Sequence, residues 1–322
     1  MSGRRGNLFG GACHNDWATP KAVAVRMVAL AMSLNPTAIA VDPCVGRFAP
    51  FYSAMPKTKR IGIELNPAYA AEAGRDVLVQ SFFDFSPAEG SFTVVGNPPY
   101  GGLATPFINH ALTFGEYAVV LVGQSQRKWS HINKTRGRLI EEYLLKNTEF
   151  ECMITGARRR MSVVVQVWQR GGSTHAELVP ARAGTKLGTE GVTFQFVGKR
   201  RLGDANVLVR RLGSKKTVGQ LALTAEKPIL YHGRRGGTWI TLAQRKVQLE
   251  TKQKGTSDDF LIVAENVGAF LALLDARKPA IAAYVANLAV GCNPNLTQPE
   301  FATLLLHPER MAPRWPVHDV LP

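Results

Sequence analysis

Apolar residues recur at helical spacing from Val23 to Leu34, directly behind Thr19-Pro20. Thr is a capping residue and Pro favours the first helical turn, so the pattern predicts a helix with Thr19 as N-cap and Pro20 at its first position. Further along, the rhythm changes. Residues 38–41, 60–65, 77–82, 92–95 and 117–122 are short runs of β-forming residues, the right length for buried strands and too short for helices. Residues 67–76 and 103–114 lie between them and predict helices. Strands alternating with helices predict an α/β fold with a doubly wound parallel sheet. Leu139, Ile140, Tyr143 and Leu144 place one apolar face along 136–146, which predicts another helix, and 150–154 and 161–168 predict the last strands.

The pattern differs in the second half. Residues 171–191 are rich in Gly, Ala, Thr and Ser and are read as a linker. Beyond them, short β-type runs separated by Gly-rich turns predict a smaller β-rich module. Alanine-rich 267–290 adds helices, and the Pro-rich tail from His307 is expected to be irregular. The expected organisation is a first domain over 1–170 with a flexible lead-in over 1–15, the linker, and a basic domain over 192–322.

At 322 residues with 45% hydrophobic content, the chain can bury a substantial core. The formal charge of +15 points to a polyanionic partner, nucleic acid first. Fourteen Lys or Arg residues fall between 199 and 254 against three acids, so most of the excess is in the second half. No apolar run reaches membrane-spanning length, and Arg4 and Arg5 have no signal-peptide core behind them; a soluble cytoplasmic protein is expected. Cys13, Cys44, Cys152 and Cys292 are widely spaced and are read as free thiols, with no metal site indicated.

The candidate chemistry lies where the strands end. The run over 92–95 drives into Gly96 and then Asn97-Pro98-Pro99-Tyr100. Two prolines supply no N–H and leave their carbonyls as acceptors; the Asn side chain adds another, and an aromatic ring follows. Such a loop can hold a planar amino group by its hydrogens and stack on its face, although Asn and Pro also simply favour turns. Asp42-Pro43-Cys44-Val45-Gly46 ends one strand, Glu64-Leu65 the next, and Phe83-Asp84-Phe85 follows the third. An acid at a strand end in an α/β sheet suits ribose hydroxyls.

Asn-Pro-Pro-Tyr after an apolar strand resembles the catalytic motif of S-adenosylmethionine-dependent amino-methyltransferases. That group holds DNA adenine methyltransferases, some RNA methyltransferases and glutamine methyltransferases of release factors. The resemblance implies a Rossmann-like methyltransferase sheet followed by a smaller C-terminal β-rich or α+β basic domain. It also implies S-adenosylmethionine as cofactor and Asn97, Pro98, Pro99 and Tyr100 as the catalytic loop. Thr19-Pro20 is similar to the segment that closes over the cofactor, and Asp42, Pro43 and Gly46 to the loop beneath its methionine part. Glu64 and Leu65 are then expected at the ribose, and Asp84 with Phe83 or Phe85 at the adenine, although these last could equally be a core edge. The family usually has a second glycine where this chain has Phe48, which puts close approach of the cofactor in doubt. The implied activity is methylation of adenine in DNA with base flipping. Methylation of RNA adenine, methylation of a protein glutamine and a catalytically silent nucleic-acid binder are the alternatives. The passage from Asn109 through Ser130 is also faintly similar to phage and viral methyltransferase-like proteins. The pairs Arg200-Arg201, Arg210-Arg211 and Arg234-Arg235 are expected at phosphates. Arg127, Lys128, Trp129, Arg158, Arg159 and Arg160 are placed on loops and read either as nucleic-acid contacts or as solvated loop residues.

Overall fold

In a computed structural model, the structure describes residues 17–99, 102–189, 191–198, 204–210, 222–224, 229–233, 236–244, 246, 259–288 and 296–322. The chain divides into two compact units, Met1–His175 with Pro313–Pro322, and Ala176–Ala312.

The first unit is a mixed α/β sheet. In chain order it holds β1 (Trp17–Ala18), α1 (Lys21–Leu34), β2 (Ile39–Asp42), α2 (Pro50–Ala54), β3 (Arg60–Glu64), α3 (Pro67–Ala73) and β4 (Leu78–Val79). Then come β5 (Phe92–Gly96), α4 (Ala104–Phe114), β6 (Tyr117–Gly123), the single-turn α5 (Trp129–Ile132), β7 (Arg138–Cys152) and β8 (Arg158–Gln169). The sheet order is β4-β3-β2-β5-β6-β8-β7-β1. Neighbours from β4 to β6 are parallel, and β8 runs antiparallel to both β6 and β7. The strand order reverses direction at β2 and β5, so their carboxyl ends open a crevice in which the site is built. All of β5 is buried, as is β8 from Val163 to Trp168, which fits central strands covered on both faces.

Several local expectations change in tertiary context. Residues 136–146 form no helix; Arg138–Cys152 is a long strand paired along β8. Its register slips between Leu139 and Glu141 and again between Leu145 and Thr148, and such irregularities break the two-residue alternation into spacing that imitates a helix. The third strand shrinks to Leu78–Val79, because Ser81 Oγ accepts from Phe83 N at 3.2 Å and starts a 3₁₀ turn over Phe82–Asp84. Thr19 does not cap α1: Pro20 is the capping position, its carbonyl accepting from Val23 and Ala24, and no side-chain cap is made. The tail is not wholly irregular either. After a 3₁₀ turn at Pro308–Met311, β16 (Val317–His318) lies parallel to β7 and Leu321 enters the core.

The second unit contains a five-stranded antiparallel sheet in the order β12-β11-β15-β10-β9. Its strands are β9 (Lys186–Thr189), β10 (Val192–Phe196), β11 (Val207–Arg210), β12 (Ala222–Leu223) and β15 (Asp259–Ala264). A separate hairpin pairs β13 (Ile229–Gly233) with β14 (Gly236–Ile240). Helices α6 (Val267–Leu288) and α7 (Gln298–Leu306) follow, α7 starting in a capping box between Thr297 and Glu300. Phe194, Phe196, Phe260, Phe270 and Phe301 interlock as an aromatic core.

Candidate active site

The strand ends hold two acids in different ways. Asp42, fully buried, accepts from Cys44 N at 3.2 Å and Tyr52 N at 3.1 Å, and so shapes the loop that leaves β2. Burial pushes its carboxyl up to about 7, against the pull of those two N–H bonds. Glu64 accepts from Gly46 N through one oxygen and Asn66 N through the other, both at 2.8 Å. It thereby ties the β2 loop to the start of α3. Each carboxylate oxygen has a second acceptor direction, so a hydroxyl can still bind there. Gly46 has φ +67°, a conformation that glycine adopts without strain.

A cavity of about 440 Å³ opens over these groups. Thr19, Pro43, Gly46, Glu64, Leu65 and Phe83 line it, together with Asn97, Pro98 and Pro99 of the catalytic-loop candidate. The sheet thus gathers residues from four strand ends and the N-terminal segment into one space. Two polar atoms of its lining residues, the Thr19 hydroxyl and Asn97 Oδ1, are buried with no hydrogen-bond partner among the described residues. Buried polar atoms are normally satisfied, so these two are exceptional among the groups around the cavity. Leu65 and Phe83 stay 71% and 43% exposed, an apolar rim fit to sandwich a planar ring.

Other candidates fall elsewhere. Asp42 lies behind the cavity wall, Pro20 lines a neighbouring cavity of about 480 Å³, and exposed Asp84 lines neither. Ser81 takes the strand-end position that Asp84 was expected to fill. Phe48 does not obstruct the first cavity. The chain turns through left-handed Ala49, φ 44° and ψ 46°, and the Phe48 ring lines the second cavity, half exposed.

Three expected nucleic-acid contacts are taken up within the fold. Arg127 is buried and its Nε donates to buried Glu142 at 3.0 Å; Lys128 is buried as well, and Trp129 packs edge-on against Trp315. Arg158, Arg159 and Arg160 are exposed at the start of β8, with Arg158 held 3.6 Å from both Glu149 and Glu151. Arg210 ends β11; Tyr100, Arg200, Arg201, Arg211, Arg234 and Arg235 lie outside the described residues.

Cys44, within the Asp42–Gly46 loop, and Asn66, next to Glu64-Leu65, also line the cavity, as do Tyr69, Ser81, Phe107 and Met153, which had no signal of their own in the sequence. The reading of four free thiols needs correction: Cys44 is free, but Cys152 is disulfide-bonded. Wide spacing hid the pair because the fold, not the sequence interval, brings cysteines together. Among the described residues there is no group of three or more potential metal ligands, and no helix is long and apolar enough to cross a membrane.

No protein-family model matches the chain, and no curated protein matches it in sequence. Among solved structures it is similar to a Pyrococcus horikoshii protein provisionally described as an RNA methyltransferase. That likeness has 15% identity and a TM-score of 0.39, covering 52% of this chain and 92% of the other. It is also similar to a dimethyladenosine transferase from Plasmodium falciparum, at 12% identity and TM-score 0.35, over 47% of this chain and 62% of that one. The M protein of the type I restriction enzyme EcoKI is similar at 14% identity and TM-score 0.35, over 47% of this chain and 44% of that one. Likenesses this distant carry no functional weight; the site has to be read from its own geometry.

Proposed function

We propose that the first unit is an S-adenosylmethionine-dependent methyltransferase acting on the exocyclic amino nitrogen of a nucleic-acid base, adenine in DNA being the first reading. The carrying observation is that Asn97, whose Oδ1 has no hydrogen-bond partner among the described residues, lines one cavity with Glu64, Gly46 and Thr19. The residues present fit the cofactor. Glu64 has acceptor capacity for ribose hydroxyls, Thr19 lines the same cavity, and Leu65 and Phe83 offer apolar faces to the adenine ring. Bound there, S-adenosylmethionine would supply an electrophilic methyl carbon, whose bond to sulfur breaks as its bond to nitrogen forms.

The chain's own contribution is alignment. Asn97 Oδ1 and the Pro98 carbonyl take the two hydrogens of the amine, which turns its lone pair toward the methyl carbon. As the nitrogen becomes positive, the same two oxygens stabilise it, and no covalent nucleophile is required. A base inside a duplex cannot reach such a cavity, so the target leaves its stack. The positive excess over 199–254 supports a nucleic-acid substrate. Adenine in RNA is the second reading, since the same charge and the same loop serve either acid. A protein glutamine suits the loop but leaves that charge unexplained.

The test is incubation with methyl-labelled S-adenosylmethionine and separate pools of DNA, RNA and protein, with cofactor binding measured by calorimetry. Label in DNA supports the first reading, and label in RNA the second. Label only in protein, or no cofactor binding at all, overturns the proposal.

A further inference from the structure

Cys44 stands between the two loops that the proposed reaction brings together. Its backbone N–H donates to Asp42 Oδ1, and its thiol donates to the carbonyl oxygen of Asn97 at 3.0 Å. It carries no disulfide and lines the 440 Å³ cavity. Burial, with the charges of Asp42 and Glu64 nearby, pushes this thiol well above its ordinary range, so it keeps the proton it donates.

The apposition around this bond is tight. A Cβ on Gly96 would stand 2.8 Å from Pro43 Cδ, so the residues just before Cys44 and Asn97 meet with no side chain between them. Thr19, only 5% exposed, lines the same cavity, and its hydroxyl has no hydrogen-bond partner among the described residues. The Asn97 carbonyl belongs to the peptide that leads into Pro98. Rotating that peptide would redirect the chain into Pro98 and shift the Pro98 carbonyl.

We infer that Cys44 is a positioning residue, whose thiol locks the Asn97–Pro98 peptide and so joins the cofactor loop to the loop that holds the substrate amine. This rests on the methyltransferase reading and deepens it, because one residue then touches the cofactor's space and sets the geometry of the acceptors. Misplacement by a fraction of an ångström at such a loop costs turnover and spares cofactor affinity.

The test compares wild type, Cys44→Ala and Cys44→Ser, with labelled S-adenosylmethionine as donor and separate DNA and RNA pools as acceptors. In Cys44→Ala, kcat should fall about 10- to 100-fold, with the Kd for S-adenosylmethionine near that of wild type. Cys44→Ser keeps a donor on the same Cβ and should recover most of the loss. The S–H stretch in the wild-type minus Cys44→Ala infrared difference spectrum should be that of a hydrogen-bonded thiol. Full kcat in Cys44→Ala, equal losses in both variants, a loss confined to cofactor affinity, or the band of an unbonded thiol would each overturn the inference. Failure of the wild type to bind S-adenosylmethionine would overturn the methyltransferase reading instead, while the infrared band still decides whether the thiol contact exists.

Discussion

Two clusters of buried polar side chains in the first unit look alike in composition and differ in their bonding. At the far side of the sheet, Arg127 Nε donates to one oxygen of Glu142 and Gln166 Nε2 to the other at 2.8 Å, while Trp168 Nε1 donates to Gln166 Oε1 at 3.2 Å. That cluster is closed, its members answering one another. At the crevice, Asp42 and Glu64 hold backbone N–H groups, but the Thr19 hydroxyl and Asn97 Oδ1, on residues that line the cavity, have no hydrogen-bond partner among the described residues. Burial of polar groups therefore does not identify the site; the convergence of strand-end residues on one cavity does. Gln124 sharpens the point, since both its amide atoms are buried and unmatched but it lines neither cavity.

The contrast can be broken most severely from the closed side. Glu142→Ala removes the buried carboxylate to which Arg127 and Gln166 both donate, and should destabilise the protein by about 3–5 kcal/mol in denaturant unfolding. Replacing Arg127 and Glu142 together by Leu should recover most of that loss, and a single variant as stable as wild type would show that the pair is not sealed from water. At the open side the effect should be on turnover. Asn97→Ala is expected to cut kcat by about 10²–10³-fold, equivalent to about 2.7–4 kcal/mol, with unfolding and cofactor affinity unchanged. Full turnover in that variant would remove the loop from the mechanism.

Glu64→Ala sits between the two cases, because this carboxylate both braces the loop and faces the cavity. Cofactor affinity should weaken by about 1–3 kcal/mol, and an unchanged Kd in calorimetry would leave Glu64 a purely structural brace. The smallest effect is expected from Asp42, whose pKa of about 7 in the folded protein lies above its ordinary value. Between those pH values the folded state holds the extra proton, so stability is lost as pH rises toward 7 and levels off above it. Asp42→Asn cannot ionise, and should gain on wild type by on the order of 1–2 kcal/mol between pH 5 and pH 7. A stability difference that does not vary with pH would show that Asp42 keeps its ordinary pKa.

The sequence by itself determined the strand runs of β2, β3, β5 and β6, the helices α3 and α4, and the turn residues at the strand ends, but not the short α2. What it determined is local: strand-length apolar runs, Gly46 and the two prolines carry their conformational preferences wherever they are placed. Only tertiary structure decided the rest. Residues 138–152 became a strand because β8 offered a long pairing edge, and two register slips disguised the alternation. Arg127-Lys128-Trp129 has the composition of a nucleic-acid surface, yet Glu142, fifteen residues away in the chain, draws the arginine inward. Asp84 and Ser81 could not be ranked from sequence, since a single 3₁₀ turn decides which of them meets the cavity. The contact between Cys44 and Asn97 joins positions 53 residues apart. Composition and spacing cannot anticipate it, because it exists only once β2 and β5 lie side by side and deliver their two loops to the same end of the sheet.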